Sequence, residues 1–101
     1  MDYEKLKLGK FSFIYLTTEN CNVCKILQPK LRQLTKTYKE STFNLIDLGV
    51  NNDAAGFFMT FSIPTFLVYS EGKELIRESR HMDLEEIKLK LDRYYEMIFE
   101  S

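Results

Sequence analysis

The feature that most constrains this chain is a pair of cysteines, Cys21 and Cys24, placed between a strand pattern and a helix pattern. Residues 11–16 read FSFIYL, a nearly continuous apolar run that is typical of a central strand covered on both faces. Pro29 lies inside the helical pattern that follows and predicts a bend near residues 25–28, not an end. The apolar residues of that pattern recur at helical spacing and predict an amphipathic helix: Val23, Ile26, Leu27, Leu31, Leu34 and Tyr38.

The rest of the chain alternates strand and helix patterns. Residues 43–48 predict a second strand, 54–60 a short helix, and 65–69 a third strand. The first two strands, joined through a helix, are expected to be parallel. The expected fold is α/β in the order β-α-β-α-β-β-α, with a four-stranded mixed sheet flanked by helices, in a single domain over residues 1–101.

The last elements follow from turn and cap residues. Glu71 and Gly72 predict a tight hairpin into a fourth strand over residues 73–78, so this half of the sheet is expected to be antiparallel. Asp83 predicts the N-cap of a final amphipathic helix, and residues 2–9 predict a short helical segment ahead of the first strand.

Charge and composition exclude several functions. The 101 residues include 14 basic and 15 acidic side chains for a formal net charge of −1, so neither nucleic acid nor an anionic membrane surface is an expected partner. The most apolar stretch, residues 57–69, falls short of the roughly 20 residues that span a bilayer. Residues 1–10 lack the apolar core of a secretory signal, so we expect a cytoplasmic location. Two cysteines in a reducing compartment are too few for a disulfide framework and favour redox chemistry.

The position of Cys21 favours a catalytic nucleophile. Backbone N–H groups and the positive end of the helix dipole stabilise a thiolate at a helix N-terminus. Cys24 follows by nearly one helical turn, close enough to form a disulfide with Cys21 or to resolve a mixed disulfide formed there. Thr17, Thr18 and Asn20 are candidate caps of the helix. This chemistry requires no bound cofactor, and no metal site is expected.

Other interpretations of the same residues remain open. The cysteines also fit two buried structural thiols, or a zinc or iron–sulfur site shared between chains, to which His81 or Asp47 would have to add ligands. His81, the single histidine, is expected in an exposed loop and not as a catalytic base. A further apolar set is expected in the core under the sheet, with one or two members at a rim where a substrate docks: Phe57, Phe58, Met59 and Phe61.

The order of motifs resembles the thioredoxin family over nearly the whole chain. A strand precedes the segment CNVCK at residues 21–25, the helix contains Pro29, and IPT follows at residues 63–65. Tyr38 near the helix end and Gly72 in the last hairpin match the same pattern. We therefore expect a thioredoxin-like fold.

The resemblance also implies a function. Pro64 would be cis and would pack beside the cysteines, and the backbone of Ile63 would bind a substrate segment in an extended, strand-like manner. The implied activity is thiol-disulfide oxidoreduction through Cys21 and Cys24, contributing to cell redox homeostasis. The implied partners are disulfide-containing proteins and an unidentified reductase, and we expect the chain to be a monomer.

The sequence departs from the family pattern beside the cysteines. An Asn-Val pair replaces the usual Gly-Pro between them, Asn20 replaces a tryptophan, and Tyr15 stands where many thioredoxins bury an aspartate. These departures support an alternative, a non-catalytic binding module of the same fold whose thiols are regulatory or vestigial. Arg80 and His81 fall near positions where thioredoxins carry small residues, and a cation there would repel basic substrates.

Overall fold

The computed structural model describes residues 1–100. All four strands lie within one residue of the predicted ranges at each end, which confirms the predicted β elements. The short helices are shorter than predicted: the first does not extend over residues 2–9, and the third ends at Phe57 instead of Thr60. The elements are α1 (Tyr3–Leu6), β1 (Ser12–Thr17), α2 (Asn22–Thr35), β2 (Thr42–Asp47), α3 (Ala54–Phe57), β3 (Thr65–Ser70), β4 (Lys73–Ser79) and α4 (Leu84–Phe99).

The strands form one mixed sheet in the order β2-β1-β3-β4. β1 and β2 are parallel and β3 and β4 are antiparallel, as the sequence predicts. β3 also pairs with β1, in antiparallel orientation. Tyr15 of β1 is therefore opposite Leu45 on one side and Phe66 on the other. All six residues of β1 are buried, which confirms a central strand covered on both faces.

The two faces of the sheet are covered by different helices. One face, here called the long-helix face, packs against α2 and α4; its buried residues are Phe11, Phe13, Tyr15, Cys24, Leu31, Tyr38, Phe66, Val68, Ile76, Ile87 and Leu91. The other, the short-helix face, packs against α1 and α3; its buried residues are Tyr3, Ile14, Leu16, Ile46, Ala54, Phe58, Leu67 and Tyr69. Successive residues of a strand point to opposite faces, so each central strand supplies both.

Local residues set the ends of the last elements. Glu71 and Gly72 both have positive φ, at 50° and 87°, so the hairpin between β3 and β4 is as tight as predicted. Asp83 caps α4 as predicted, since its carboxylate accepts the N–H groups of Glu85 and Glu86. Helix α2 continues past Pro29, while its bend stays a prediction. Within residues 1–100, no helix is both long and apolar enough to cross a bilayer.

Candidate functional site

Cys21 lies at the start of α2, directly beyond the loop that follows β1. It is the N-cap residue, with an extended backbone at φ −92° and ψ 103°, and its own Sγ accepts the N–H of Cys24 at 3.1 Å. The expectation that Thr17, Thr18 or Asn20 caps the helix is therefore wrong, because Cys21 itself takes the capping conformation. The Thr17 hydroxyl instead donates to the carbonyl of Thr18 at 3.3 Å.

The two cysteines form a disulfide and differ strongly in exposure. Their Cα atoms are 5.2 Å apart. Cys24 is fully buried in the long-helix face, whereas Cys21 is partly exposed and packs at the edge of the same cluster. A reagent from solution therefore reaches the sulfur of Cys21 first.

Tyr15 is hydrogen-bonded to the backbone of the buried cysteine, Cys24. Its hydroxyl donates a hydrogen bond of 2.9 Å to the carbonyl of Cys24, and the ring is fully buried. Burial raises the pKa of Tyr15 to about 12, so the phenol stays neutral near pH 7. In the sequence, Tyr15 is only a departure from the family pattern. The contact depends on the long reach of a tyrosine from β1 to the first turn of α2, which no local pattern indicates.

Ionisable acids are absent from the core around this pair. Among residues 1–100 the buried polar side chains, tyrosines aside, are all hydroxyls and include no carboxylate: Ser12, Thr17, Thr35, Thr60 and Thr65. Thr60 is the one whose buried oxygen has no hydrogen-bond partner within that part of the chain. Cys24 therefore has no buried carboxylate beside it to accept its proton.

The segment carrying Ile63 and Pro64 leads into β3. The peptide bond between these two residues is cis, and Pro64 is buried. Its carbonyl accepts the N–H of Arg80 at 3.3 Å, which ties the segment to the loop after β4. Ile63 is partly buried and packs on the long-helix face, the cluster that also holds Cys24. The Thr65 hydroxyl donates to the carbonyl of Ser62 at 2.6 Å and closes the turn.

The residues before this segment differ from the sequence expectation. Of the four apolar residues expected in the core, only Phe58 is buried, at 2% exposure. Phe57 is 38% exposed, Met59 67% and Phe61 90%, so the core assignment is wrong for these three. The reason is local: α3 ends at Phe57 and Met59 has a φ of 52°, so the helical period that would bury later residues stops.

Arg77 fixes the same loop from strand β4. Its guanidinium donates to the carbonyls of Phe58 at 2.7 Å and Met59 at 3.2 Å, and pairs with Glu74 at 2.9 Å. No pattern in the sequence marks this residue, since an alternating charge on an edge strand is usually solvated.

Arg80 and His81 lie beside the first turns of α2, as the sequence hypothesis placed them. Together with Met82 and Asp83 they line an open groove whose other wall is Val23, Ile26 and Leu27. Arg80 and His81 are both exposed, as expected for His81. The described part of the chain brings no three His, Cys, Asp or Glu side chains into an arrangement that could hold a metal ion.

The comparisons with known proteins agree with this geometry. A family model described as Thioredoxin matches residues 4–93. The chain belongs to the thioredoxin family. With the cysteine pair joined as a disulfide at the start of α2, this thioredoxin is a thiol-disulfide oxidoreductase.

Individual relatives extend over different shares of the chain. This thioredoxin is similar to the thioredoxin-like protein YdfQ of Bacillus subtilis, with 33% identity over 91% of this chain and 82% of that protein. Thioredoxin H7 of Arabidopsis thaliana is 29% identical over 68% of this chain but only 54% of its own length. The solved structure of thioredoxin 1 from Thermosipho africanus superimposes with a TM-score of 0.77 at 25% identity, over 84% of this chain and 94% of that one. The predicted thioredoxin-like fold is confirmed.

Proposed function

We propose that Cys21 is the nucleophile and Cys24 the resolving thiol of this oxidoreductase. The observation that carries the proposal is the difference between the two sulfurs: Cys21 is partly exposed and accepts the N–H of Cys24 at the start of α2, whereas Cys24 is fully buried. The same N–H and the helix dipole would stabilise a thiolate on Cys21 after reduction. Only Cys21 can meet a protein disulfide without movement of the core.

The exchange is a two-electron transfer in two steps. The Cys21 thiolate attacks one sulfur of a substrate disulfide, a mixed disulfide forms, and the other substrate sulfur leaves as a thiolate. Cys24 then loses its proton and attacks the sulfur of Cys21, which releases the second substrate thiolate and leaves the intramolecular disulfide. Since Tyr15 is neutral and no buried carboxylate lies near, we infer that a departing thiolate or water takes the proton of Cys24.

Ile63 and Pro64 are proposed to bind the substrate segment. The backbone N–H and carbonyl of Ile63 make no hydrogen bond within residues 1–100, so both are available to pair with an extended peptide. Pro64 is held in place by the Arg80 N–H and gives this segment a fixed position against the core.

Disulfide-containing proteins are the proposed substrates, and a separate reductase returns the disulfide to the dithiol. We place this activity in the cytoplasm, in a chain that acts as a monomeric single domain and contributes to redox homeostasis. The support for that location is the low cysteine count.

Turnover is the first test. The protein should accelerate reduction of insulin by dithiothreitol, Cys21→Ser should abolish the acceleration, and Cys24→Ser should accumulate a mixed disulfide on Cys21 that gel shift and mass spectrometry detect. Equal trapping by both single variants would contradict the assigned roles. Binding of partners by the wild-type protein without any turnover would support a binding module instead.

A redox titration of the wild-type protein is the second test. Equilibration against thiol-disulfide buffers, with alkylation and mass analysis, should show a reversible two-electron transition between roughly −270 and −120 mV. A chain that forms no intramolecular disulfide in any buffer would contradict the proposal.

A further inference from the structure

Arg80 has a backbone conformation that suits glycine better than arginine. Its φ is 64°, in the left-handed region where a side chain crowds the backbone. Glu40 and Glu71 share this feature in turns at the opposite end of the strands from the disulfide, and Met59, which follows α3, shares it with a φ of 52°. Residues held in rare backbone conformations cluster at functional sites, so the presence of a large cation at this position calls for a role.

The position of Arg80 brings it to the substrate side of the molecule. Its N–H donates to the carbonyl of Pro64 at 3.3 Å, the residue proposed to seat the substrate segment. Its side chain lines the groove of about 420 Å³ that opens against the first turns of α2. Val23, which lies between the two cysteines, is 53% exposed there, and Ile26 is 59% exposed. The groove thus has an apolar wall from the first turns of α2, the helix that begins at the disulfide, and Arg80 on its other wall.

Arg80 makes no ion pair within residues 1–100. Asp83, the one carboxylate that lines the groove, accepts the N–H groups that begin α4 and does not pair with Arg80. His81 adds a second basic side chain to the groove.

We propose that Arg80 is a specificity-determining residue that selects protein disulfides with an Asp or Glu side chain next to the reactive cysteine. This proposal rests on the proposed function, since it assigns a substrate class to the same site. A guanidinium binds a carboxylate through two parallel hydrogen bonds, and it repels a lysine at the same place. A substrate segment that pairs with Ile63 also passes Arg80, because the Arg80 N–H is bonded to the carbonyl of the adjacent Pro64. A carboxylate next to the reactive cysteine would then lie within reach of the groove.

The test compares three peptide disulfides that differ only in the residue beside the cysteine: glutamate, glutamine or lysine. With the wild-type protein, kcat/KM should be about 3- to 10-fold higher for the glutamate peptide than for the lysine peptide, and the ratio should shrink in high salt. Arg80→Gly should bring the ratio close to one, and Arg80→Glu should invert it. The variant Arg93→Glu changes the net charge by the same amount as Arg80→Glu, from an exposed position on α4. It should leave the ratio as in the wild type.

Folding and function are separated by further readouts. Arg80→Gly suits the left-handed backbone and should raise the midpoint of thermal unfolding, so its loss of selectivity cannot come from misfolding. A preference that survives in Arg80→Gly, or a wild-type ratio near one, would overturn the proposal. Failure of the wild-type protein to reduce even the glutamine peptide would contradict the proposed function itself, because that peptide offers Arg80 no charge to select.

Discussion

The long-helix face and the short-helix face of the sheet differ in how far aromatic packing extends across them. On the long-helix face aromatic rings pack on one another, with Phe13 against Phe66 at 5.9 Å and Phe11 against Phe13 at 4.9 Å. The short-helix face has a smaller aromatic cluster, in which Tyr3 packs on Phe57 and Phe58. The Tyr3 hydroxyl also donates to Asp53 at 2.5 Å, and Arg77 binds the carbonyls that follow α3. The buried Cys24 belongs to the long-helix face, whereas the loop that leads to Pro64 is held by Arg77 from the short-helix face.

The two faces should therefore respond differently to substitutions. A face built from interlocking rings loses stability when a ring is removed, because neighbouring side chains cannot close the cavity. A loop fastened by hydrogen bonds loses its position before the whole domain loses stability.

The largest effect is expected from truncating a central ring. Phe66 and Leu67 are adjacent in β3, both fully buried, and point to opposite faces. Phe66→Ala should lower the free energy of unfolding by about 3–5 kcal/mol, and the matched Leu67→Ala by about 2–4 kcal/mol. Urea denaturation measures both, and a larger loss for Leu67→Ala would contradict the view that the long-helix face dominates stability.

The next effect is on the loop before Pro64. Arg77→Gln removes the donors to Phe58 and Met59, and should lower the free energy of unfolding by about 1–2 kcal/mol, the lower part of the range for charged hydrogen bonds because the side chain is 34% exposed. Amide exchange in residues 58–62 should accelerate and KM for insulin should rise. Arg93→Gln is the matched control on α4. Equal amide exchange in both variants would show that Arg77 does not hold this loop.

A smaller effect is expected at Tyr15. Loss of its hydrogen bond to Cys24 in Tyr15→Phe should cost about 1 kcal/mol at neutral pH. The variant should also change the alkaline limb of the stability curve. Burial raises the pKa of Tyr15 to about 12, above the value of 10.0 for an unperturbed tyrosine, so its neutral form is favoured in the folded state.

The sign of that alkaline effect follows from proton binding. Above pH 10 the unfolded chain loses the Tyr15 proton while the folded protein keeps it. The contribution of Tyr15 to the free energy of unfolding is therefore complete below pH 10 and is lost as the pH rises toward 12. The fall should be less steep in Tyr15→Phe. Parallel alkaline unfolding curves for the two proteins would show that Tyr15 makes no such contribution.

The smallest effect is expected at the outer edge of the long-helix face. The Tyr38 hydroxyl donates to Asp92 at 2.5 Å, Lys88 lies 3.0 Å away, and together they lower the pKa of Asp92. A carboxyl group whose pKa is lower in the folded protein stabilises the fold at pH values above its unfolded-state pKa. That stabilisation is lost as the pH falls through its folded-state pKa. Because Asp92 is 50% exposed, Asp92→Asn should flatten the acid limb by only about 0.5 kcal/mol. Identical acid limbs would remove Asp92 from the account.

The sequence predicted the sheet well because its strands are strongly patterned. The run over residues 11–16 and the hairpin at Gly72 depend on neighbours along the chain, and the structure confirms both. The cysteine pair at the start of α2 was equally readable from its flanking patterns. These features are local, and local features can be read from one sequence.

The errors concern choices that only tertiary structure makes. An apolar stretch at 57–61 suggests a buried segment, yet the left-handed turn at Met59 sends Phe61 into solvent. Thr17, Thr18 and Asn20 are the candidate helix caps in the sequence, but Cys21 has the capping backbone conformation. Neither the reach of Tyr15 to the carbonyl of Cys24 nor that of Arg77 to the loop after α3 leaves a mark in the sequence, because both contacts join separate elements.

The strand order leaves two unequal edges, and this difference bears on self-association. β4 is strongly charged, with Lys73, Glu74, Arg77 and Glu78 among its seven residues, whereas β2 at the opposite edge has a single charged residue, Asp47. Charges on an edge strand oppose pairing with a second chain. In concentrated solution or during refolding, aggregates of this protein should therefore nucleate along β2, and a lysine on an exposed position of that strand would oppose them.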